Sequence, residues 1–287
     1  MTSNTEINPK QSVELLKALH ILTVDGKLNQ DSRRKLKQVN HLVNFIAPLF
    51  CEVLAQNTNT KLGPLLVDHG AGKSYLGFIL YDLLMKQLPA GEVVGIETRA
   101  DLVKKSRQLA KDCGFVRMRF EHLSVAESIT SGSLPSQVDI VTALHACNTA
   151  TDDAIQFGLA KQAKYMVLVP CCQAEVAELL RKNKGDSLGK TPLSEIWRHP
   201  IHTREFGSQI TNVLRCLQLE AAGYSVTVTE LVGWEHSMKN ELIIAKYTGQ
   251  PRKNARERMA AILQAFNLQD LQQRFSGSDL HKTDEQK

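Results

Sequence analysis

The sequence predicts an α/β protein built on a mostly parallel seven-stranded sheet whose last strand runs antiparallel, preceded by a helical extension. Three observations carry this. From residue 64 onward, short apolar runs alternate with helical stretches, the signature of βαβ units. A glycine turn, GAG, stands between the first run and the first helix. The last two β-like runs, YSVTVTELV and ELIIAKYT, follow one another with no helix between them, so they can pair antiparallel.

Residues 1–60 read as a helical extension. Leu36, Val39, Val43, Ile46, Leu49, Phe50, Val53 and Leu54 recur at three- and four-residue steps, as one buried helix face does. Pro48 lies inside that run and is expected to kink or divide it. A basic stretch, Arg33, Arg34, Lys35 and Lys37, stands at its start.

The domain proper spans residues 61–250. Strands are expected at 65–68, 92–98, 115–123, 138–145, 165–170, 224–232 and 241–248, all β-branched or aliphatic runs. Helices are expected at 75–88, at 99–114 with Gly114 as a left-handed cap, at 149–161 with Thr149 or Thr151 as N-cap, and at 208–223. Parallel strands joined by helices imply right-handed crossovers. Residues 171–204 break the rhythm as a basic insertion, with six basic against four acidic residues. Residues 251–287 form a C-terminal helix or two, and the polar tail from Ser276 is expected to be disordered.

Composition narrows the function classes. Of 287 residues 43% are hydrophobic and 23% charged, ordinary for a globular protein. No apolar stretch reaches the roughly 18 residues of a membrane span, and the polar N-terminus has no secretory h-region. Six cysteines without a framework spacing point to reduced thiols, hence a cytoplasmic protein. A net charge of +5 permits an anionic partner without demanding one.

The motif VDHGAGKSYLG ends its turn in GKS, as a phosphate loop does. That loop needs Gly-x-x-x-x-Gly-Lys-Ser/Thr, and its first glycine falls on Val67, inside the strand. What remains is a strand ending in Asp68, then Gly70 and Gly72, which let the backbone turn and approach a ligand. An acidic residue at the strand end favours a cationic group. Glu97 ends the second strand twenty-five residues past Gly72, where a carboxylate takes both ribose hydroxyls. A nucleoside with a cationic amino-acid end, S-adenosylmethionine, fits both. A dinucleotide dehydrogenase is the rival, but a third glycine is missing, with Ser74 or Tyr75 in its place, and the closing hairpin favours a methyltransferase.

The blocks VDHGAGKSYLG, ALHACNTATDDAI and VPCCQ resemble, in the same order, those of a class I methyltransferase family. It includes the methyltransferase domain of glutathione S-transferase C-terminal domain-containing proteins. The CHHC-finger tRNA ribose methyltransferases are similar at greater distance. The resemblance spans residues 33–248 and implies a Rossmann-like class I methyltransferase fold. Two positions depart from the family: Ser74 and Asn148 stand where glycine is usual.

The resemblance implies roles. Asp68, Gly70, Ala71, Gly72, Tyr75, Glu97, Thr98, Ser124 and His145 are the expected cofactor-binding residues, with Ser124 at the adenine edge. His145, at the end of the fourth strand, is the candidate catalytic base. Cys147, Asn148, Pro170, Cys171, Cys172 and Gln173 are expected to line the acceptor site. Zinc on His145, Cys147, Cys171 and Cys172 is disfavoured, because adjacent cysteines lack the usual ligand spacing, so no metal is expected. Trp234 and Lys239 are read as hairpin loop before a substrate lip. RNA, including tRNA, is the expected acceptor class, and the competing reading is a degenerate module that binds cofactor or RNA without catalysis.

Overall fold

The computed structural model describes residues 7–56, 63–146, 149–170, 174–182, 192–231 and 241–276. Its centre is a seven-stranded sheet in the order β3-β2-β1-β4-β5-β7-β6. The strands are β1 (Leu65–His69), β2 (Glu92–Glu97), β3 (Met118–His122), β4 (Ile140–Ala146), β5 (Tyr165–Pro170), β6 (Tyr224–Glu230) and β7 (Glu241–Tyr247). β1 to β5 pair in parallel, and β7 runs antiparallel between β5 and β6. This is the predicted sheet; each strand overlaps its expected run, with β1 and β4 each ending one residue beyond it.

The order reverses direction at β1, where β2 leaves on one side and β4 on the other. In open parallel sheets that switch point opens a crevice at the carboxyl ends of the strands. Asp68 pairs with Gly95 of β2 and Thr142 of β4, which puts the three strand ends side by side.

Helices cover both faces. On one side lie α1 (Val13–Ala18), α2 (Gln30–Gln56), α3 (Tyr75–Leu80) and α4 (Ala100–Asp112). Their apolar residues share one core with Leu66, Val93, Ile140 and Val167 of the sheet. The helical extension is therefore packed onto the sheet. Its attachment is also polar: Tyr165 and Lys246 both donate to Glu52 of α2, and the Ser12 amide donates to Asp82 at 2.7 Å. On the other side α5 (Val125–Thr130) and α6 (Ala150–Ala160) cover Val67, Val94, Val141 and Leu168. A third core joins α7 (Glu175–Lys182), α8 (Pro200–Ala221), α9 (Ala255–Ala265) and α10 (Gln272–Ser276).

Three expectations about boundaries change. Pro48 does not divide α2, which runs unbroken from Gln30 to Gln56. Burial of Leu42, Ile46, Phe50 and Val53 against the sheet holds the helix across the one hydrogen bond proline cannot donate. The helix expected at 75–88 is α-helical only to Leu80 and then widens to a π-helical turn, Tyr81–Met85. α8 begins at Pro200, eight residues before its expected start, and so takes in the end of the basic insertion. Proline fits a first helical turn, where its missing N–H has no partner to lose.

A buried ion pair ties α6 to α8. Arg215, 1% exposed, donates from Nε and Nη2 to the two oxygens of Asp152 at 2.6 and 3.1 Å. Asp152 lies in the first turn of α6, so this fork fixes the start of the helix that follows β4. Among the described residues no helix is long and apolar enough to cross a membrane.

Candidate functional site

The glycine turn is built on a buried carboxylate. Asp68, 2% exposed, accepts hydrogen bonds from Thr142 Oγ1 at 2.9 Å and Ser74 Oγ at 3.0 Å, and from the Gly77 amide. Burial lifts its carboxyl to about 6 in spite of those bonds, and the charge of Glu97 adds to the rise. With both oxygens occupied inside the protein, Asp68 shapes the turn from beneath.

Ser74 explains its own departure from glycine. It adopts a left-handed conformation with φ 50°, which glycine enters without strain and serine does not. Its hydroxyl bond to Asp68 offsets that cost. Gly77 must then stay bare: a Cβ there would stand 2.4 Å from Ser74 Oγ and 3.3 Å from Asp68 Oδ2. Gly70 and Gly72 turn the chain with φ of 66° and 58°. The Ala71 amide bonds the Ile96 carbonyl at 2.9 Å, which pins the turn to β2.

Glu97 stands on the other side of the turn. Its Oε2 accepts from the Gly72 amide at 2.7 Å and from Arg99 Nη2 at 3.2 Å. Its Oε1 accepts from the Arg99 amide at 3.0 Å, Arg99 Nε at 3.1 Å and Thr98 Oγ1 at 3.3 Å. Burial works against the charge, but the guanidinium, the Arg99 amide and the Gly72 amide outweigh it and hold the carboxyl below its usual range. The Arg99 side chain is 63% exposed, so this cover lies at the rim.

The other predicted residues divide. Tyr75, half-buried, opens α3 directly after the turn, and Thr98 is exposed beside Glu97. Ser124 is the N-cap of α5 in a full capping box: its hydroxyl donates to Glu127 at 2.7 Å and accepts from the Glu127 amide. Its hydroxyl is thus spent within the helix start. Pro170 ends β5 and is buried. His145 lies in β4 by its backbone. Its side chain, with Cys147, Asn148, Cys171, Cys172, Gln173, Trp234 and Lys239, lies outside the described residues. Among the described residues no group of three or more His, Cys, Asp or Glu side chains stands ready to hold a metal.

Sequence reasoning missed Thr142, Arg99 and His69. Thr142 and Arg99 carried weak signals, being a polar residue inside an apolar strand and a cation two residues past the expected ribose ligand. His69 is 5% exposed, and neither ring nitrogen has a hydrogen-bond partner among the described residues. It sits within the glycine motif itself, where it reads as one letter between Asp68 and Gly70.

The arrangement suits a nucleoside, while Asp68, expected from the sequence to meet its cationic end, is instead spent within the turn. A carboxylate held ionised at the end of β2 faces the edge of a turn whose backbone is bare. A Cβ on Gly70 would meet no heavy atom of the described residues within 4 Å. These residues fit S-adenosylmethionine as the sequence predicts.

A family model described as a methyltransferase domain matches residues 34–179, just over half the chain. The glutathione S-transferase C-terminal domain-containing protein of Bos taurus is 26% identical over 238 residues, covering 77% of this chain and 34% of that protein. The Drosophila melanogaster homolog is 23% identical over 246 residues, covering 76% and 37%. The chain thus spans about a third of the length of the curated relatives it matches. Among solved structures, the magnesium protoporphyrin IX methyltransferase from Synechocystis PCC 6803 with bound SAH aligns with TM-score 0.47 and 16% identity, over 82% of this chain and 93% of that one.

Proposed function

The chain belongs to this methyltransferase-domain family, and from that premise we propose that it is an S-adenosylmethionine-dependent methyltransferase whose acceptor is RNA. The observation that carries the cofactor reading is the pairing of Glu97 with the glycine turn. A carboxylate kept ionised beside an open backbone turn is the arrangement that takes ribose hydroxyls, each bond to the charge contributing about 1.5–3 kcal/mol. Arg99 must swing off Glu97 for the ribose to bind, which its exposure permits.

When bound, the cofactor supplies a methyl group on a sulfonium, which passes to an acceptor lone pair as the S–C bond breaks and leaves a neutral thioether. The chain's own contribution is position and orientation. Asp68 and Ser74 hold the turn in shape, Gly70 and Gly72 let the ligand lie against the backbone, and Glu97 fixes the nucleoside. His145, at the carboxyl end of β4, is the candidate to take the acceptor's proton.

Three features support RNA. The net charge is +5. The motif blocks resemble those of tRNA ribose methyltransferases. A surface groove of about 380 Å³ beside the β2–β3 end is lined by Lys104, Arg107, Lys111 and His122, with no carboxylate in its lining. The acceptor class is tested by offering radiolabelled S-adenosylmethionine to fractionated RNA and protein, after calorimetry has established cofactor binding. Label in RNA supports the reading. Binding without transfer to any fraction would instead indicate a module that has lost catalysis.

A further inference from the structure

α4 and the end of the edge strand β3 line the groove of about 380 Å³. His122, the last residue of β3, stands opposite Glu97 in the strand register, so the groove begins level with that carboxylate. Lys104, Arg107 and Lys111 follow one another at three- and four-residue steps and so share one face of α4. Seven residues separate the first from the third, about 10 Å along a helix.

The side chains are held open for a ligand. Arg107 donates from Nε and Nη2 to the Phe120 carbonyl of β3 at 2.9 and 2.6 Å, which fixes the guanidinium against the edge strand. His122 Nε2 donates to the Thr98 carbonyl at 2.9 Å, which ties the imidazole to the end of β2. Lys104 and Lys111 are exposed, and neither has an ion-pair partner among the described residues. The carboxylates nearby are engaged elsewhere. Asp101 pairs with Lys105 at 3.7 Å, Asp112 accepts from Gln108 at 2.7 Å, and Glu121 accepts from Arg119 at 2.5 Å and lies 3.8 Å from Arg107. The lining holds no carboxylate, and its only ring is the imidazole of His122. Three cations in file suit the repeating anion of a nucleic-acid backbone. Without phenyl or indole rings to stack on, such a groove meets phosphates rather than bases.

We propose that this groove binds the phosphate backbone of the RNA acceptor without reading its sequence, with Lys104, Arg107 and Lys111 as the contacting cations. The inference rests on the RNA reading and gives that RNA a second hold, apart from the carboxyl end of β4.

The test uses the full chain as Lys104→Gln/Lys111→Gln. Arg107 stays in place because β3 depends on it. The control is Lys253→Gln/Arg256→Gln at the start of α9, which removes the same charge from two other exposed residues. Oligouridylate and a mixed-sequence oligoribonucleotide are titrated by fluorescence anisotropy between about 50 and 200 mM salt. The groove variant should match the wild type in melting temperature and bind S-adenosylmethionine within about twofold, as exposed substitutions do. Its affinity for both RNAs should fall about tenfold, and the slope of log affinity against log salt should become shallower by about 1.4, at roughly 0.7 per lost phosphate contact. The control and Lys104→Arg/Lys111→Arg should keep the wild-type slope. The proposal is overturned if the groove variant loses no more affinity or slope than the control while the wild type binds and labels RNA; the RNA reading then survives without this site. A loss confined to one of the two sequences overturns backbone recognition. Displacement of RNA by inorganic phosphate beyond the effect of chloride at equal ionic strength shows a small-anion site and overturns it too. A wild type that binds neither RNA and labels protein alone overturns the RNA reading, and this site with it.

Discussion

Asp68 and Glu97 end neighbouring parallel strands and flank one glycine turn, yet their carboxyls are driven in opposite directions. Asp68 is pushed up to about 6 by burial, while Glu97 is held below its usual range by Arg99 and the Gly72 amide. The first has spent both oxygens on Thr142, Ser74 and Gly77, inside the protein. The second is covered by a guanidinium that water reaches. Two acidic residues with the same place in the motif therefore divide the work, one building the turn and the other proposed to reach the ligand.

Removing each carboxylate sharpens this contrast. Asp68→Ala leaves the partners of two hydroxyls and one amide missing in the interior, and is expected to cost about 3–5 kcal/mol of stability, measured by urea unfolding. Glu97→Ala is expected to cost about 1–3 kcal/mol, less than Asp68→Ala, because it too is buried and accepts from two amides, and to weaken cofactor affinity by about tenfold to a hundredfold in calorimetry. Equal stability losses in the two variants would end the distinction.

Gly77→Ala probes the buried side alone. Its methyl group must displace Ser74 Oγ from Asp68, an overpacking cost of about 1–3 kcal/mol. Replacing Ser74 by glycine in the same background should recover part of that loss, because the clash is removed and the left-handed φ is relieved.

Acidification tests the buried pair Asp68 and His69. Asp68 has a raised pKa, so its contribution to stability grows as pH falls through about 6. His69 has a lowered pKa, so its contribution is present above about 6.5 and is lost as pH falls toward about 4. The two oppose each other across that window. Between pH 7 and 4 the wild type should therefore lose roughly 3 kcal/mol relative to His69→Phe, at about 1.4 kcal/mol per unit of pKa shift. Parallel stability curves for the two proteins would show that the imidazole is not buried neutral.

The smallest effect belongs to the rim. Arg99→Ala frees Glu97 for the ribose, and a pair whose cation is exposed to water contributes about 1 kcal/mol. Cofactor affinity should rise by up to about fivefold in calorimetry. A fall would mean that the guanidinium itself holds the ligand.

Much of this was legible in the primary structure. The seven strands, the antiparallel closing strand and the Gly114 cap follow from period-two and period-three-to-four patterns and from turn chemistry, which are local. Asp68, the glycines and Glu97 were identifiable because their spacing along the chain reflects one βαβ unit. Less legible were the roles within that set. Ser124 also caps α5 through Glu127, a role its sequence reading did not include, and Pro48 reads as a break until the burial of α2 is known.

The sequence by itself determined the order of elements, the turn and the carboxylate that follows it, because each depends on residues close together in the chain. Only the tertiary structure decided which buried carboxylate is spent inside the protein and which is covered by an exposed guanidinium. It brings Thr142 to Asp68 across 74 positions and Arg215 to Asp152 across 63. It alone also shows that His69 is buried without a hydrogen-bond partner among the described residues. Burial and hydrogen-bond satisfaction are properties of packed surroundings, and no pattern within a strand encodes them.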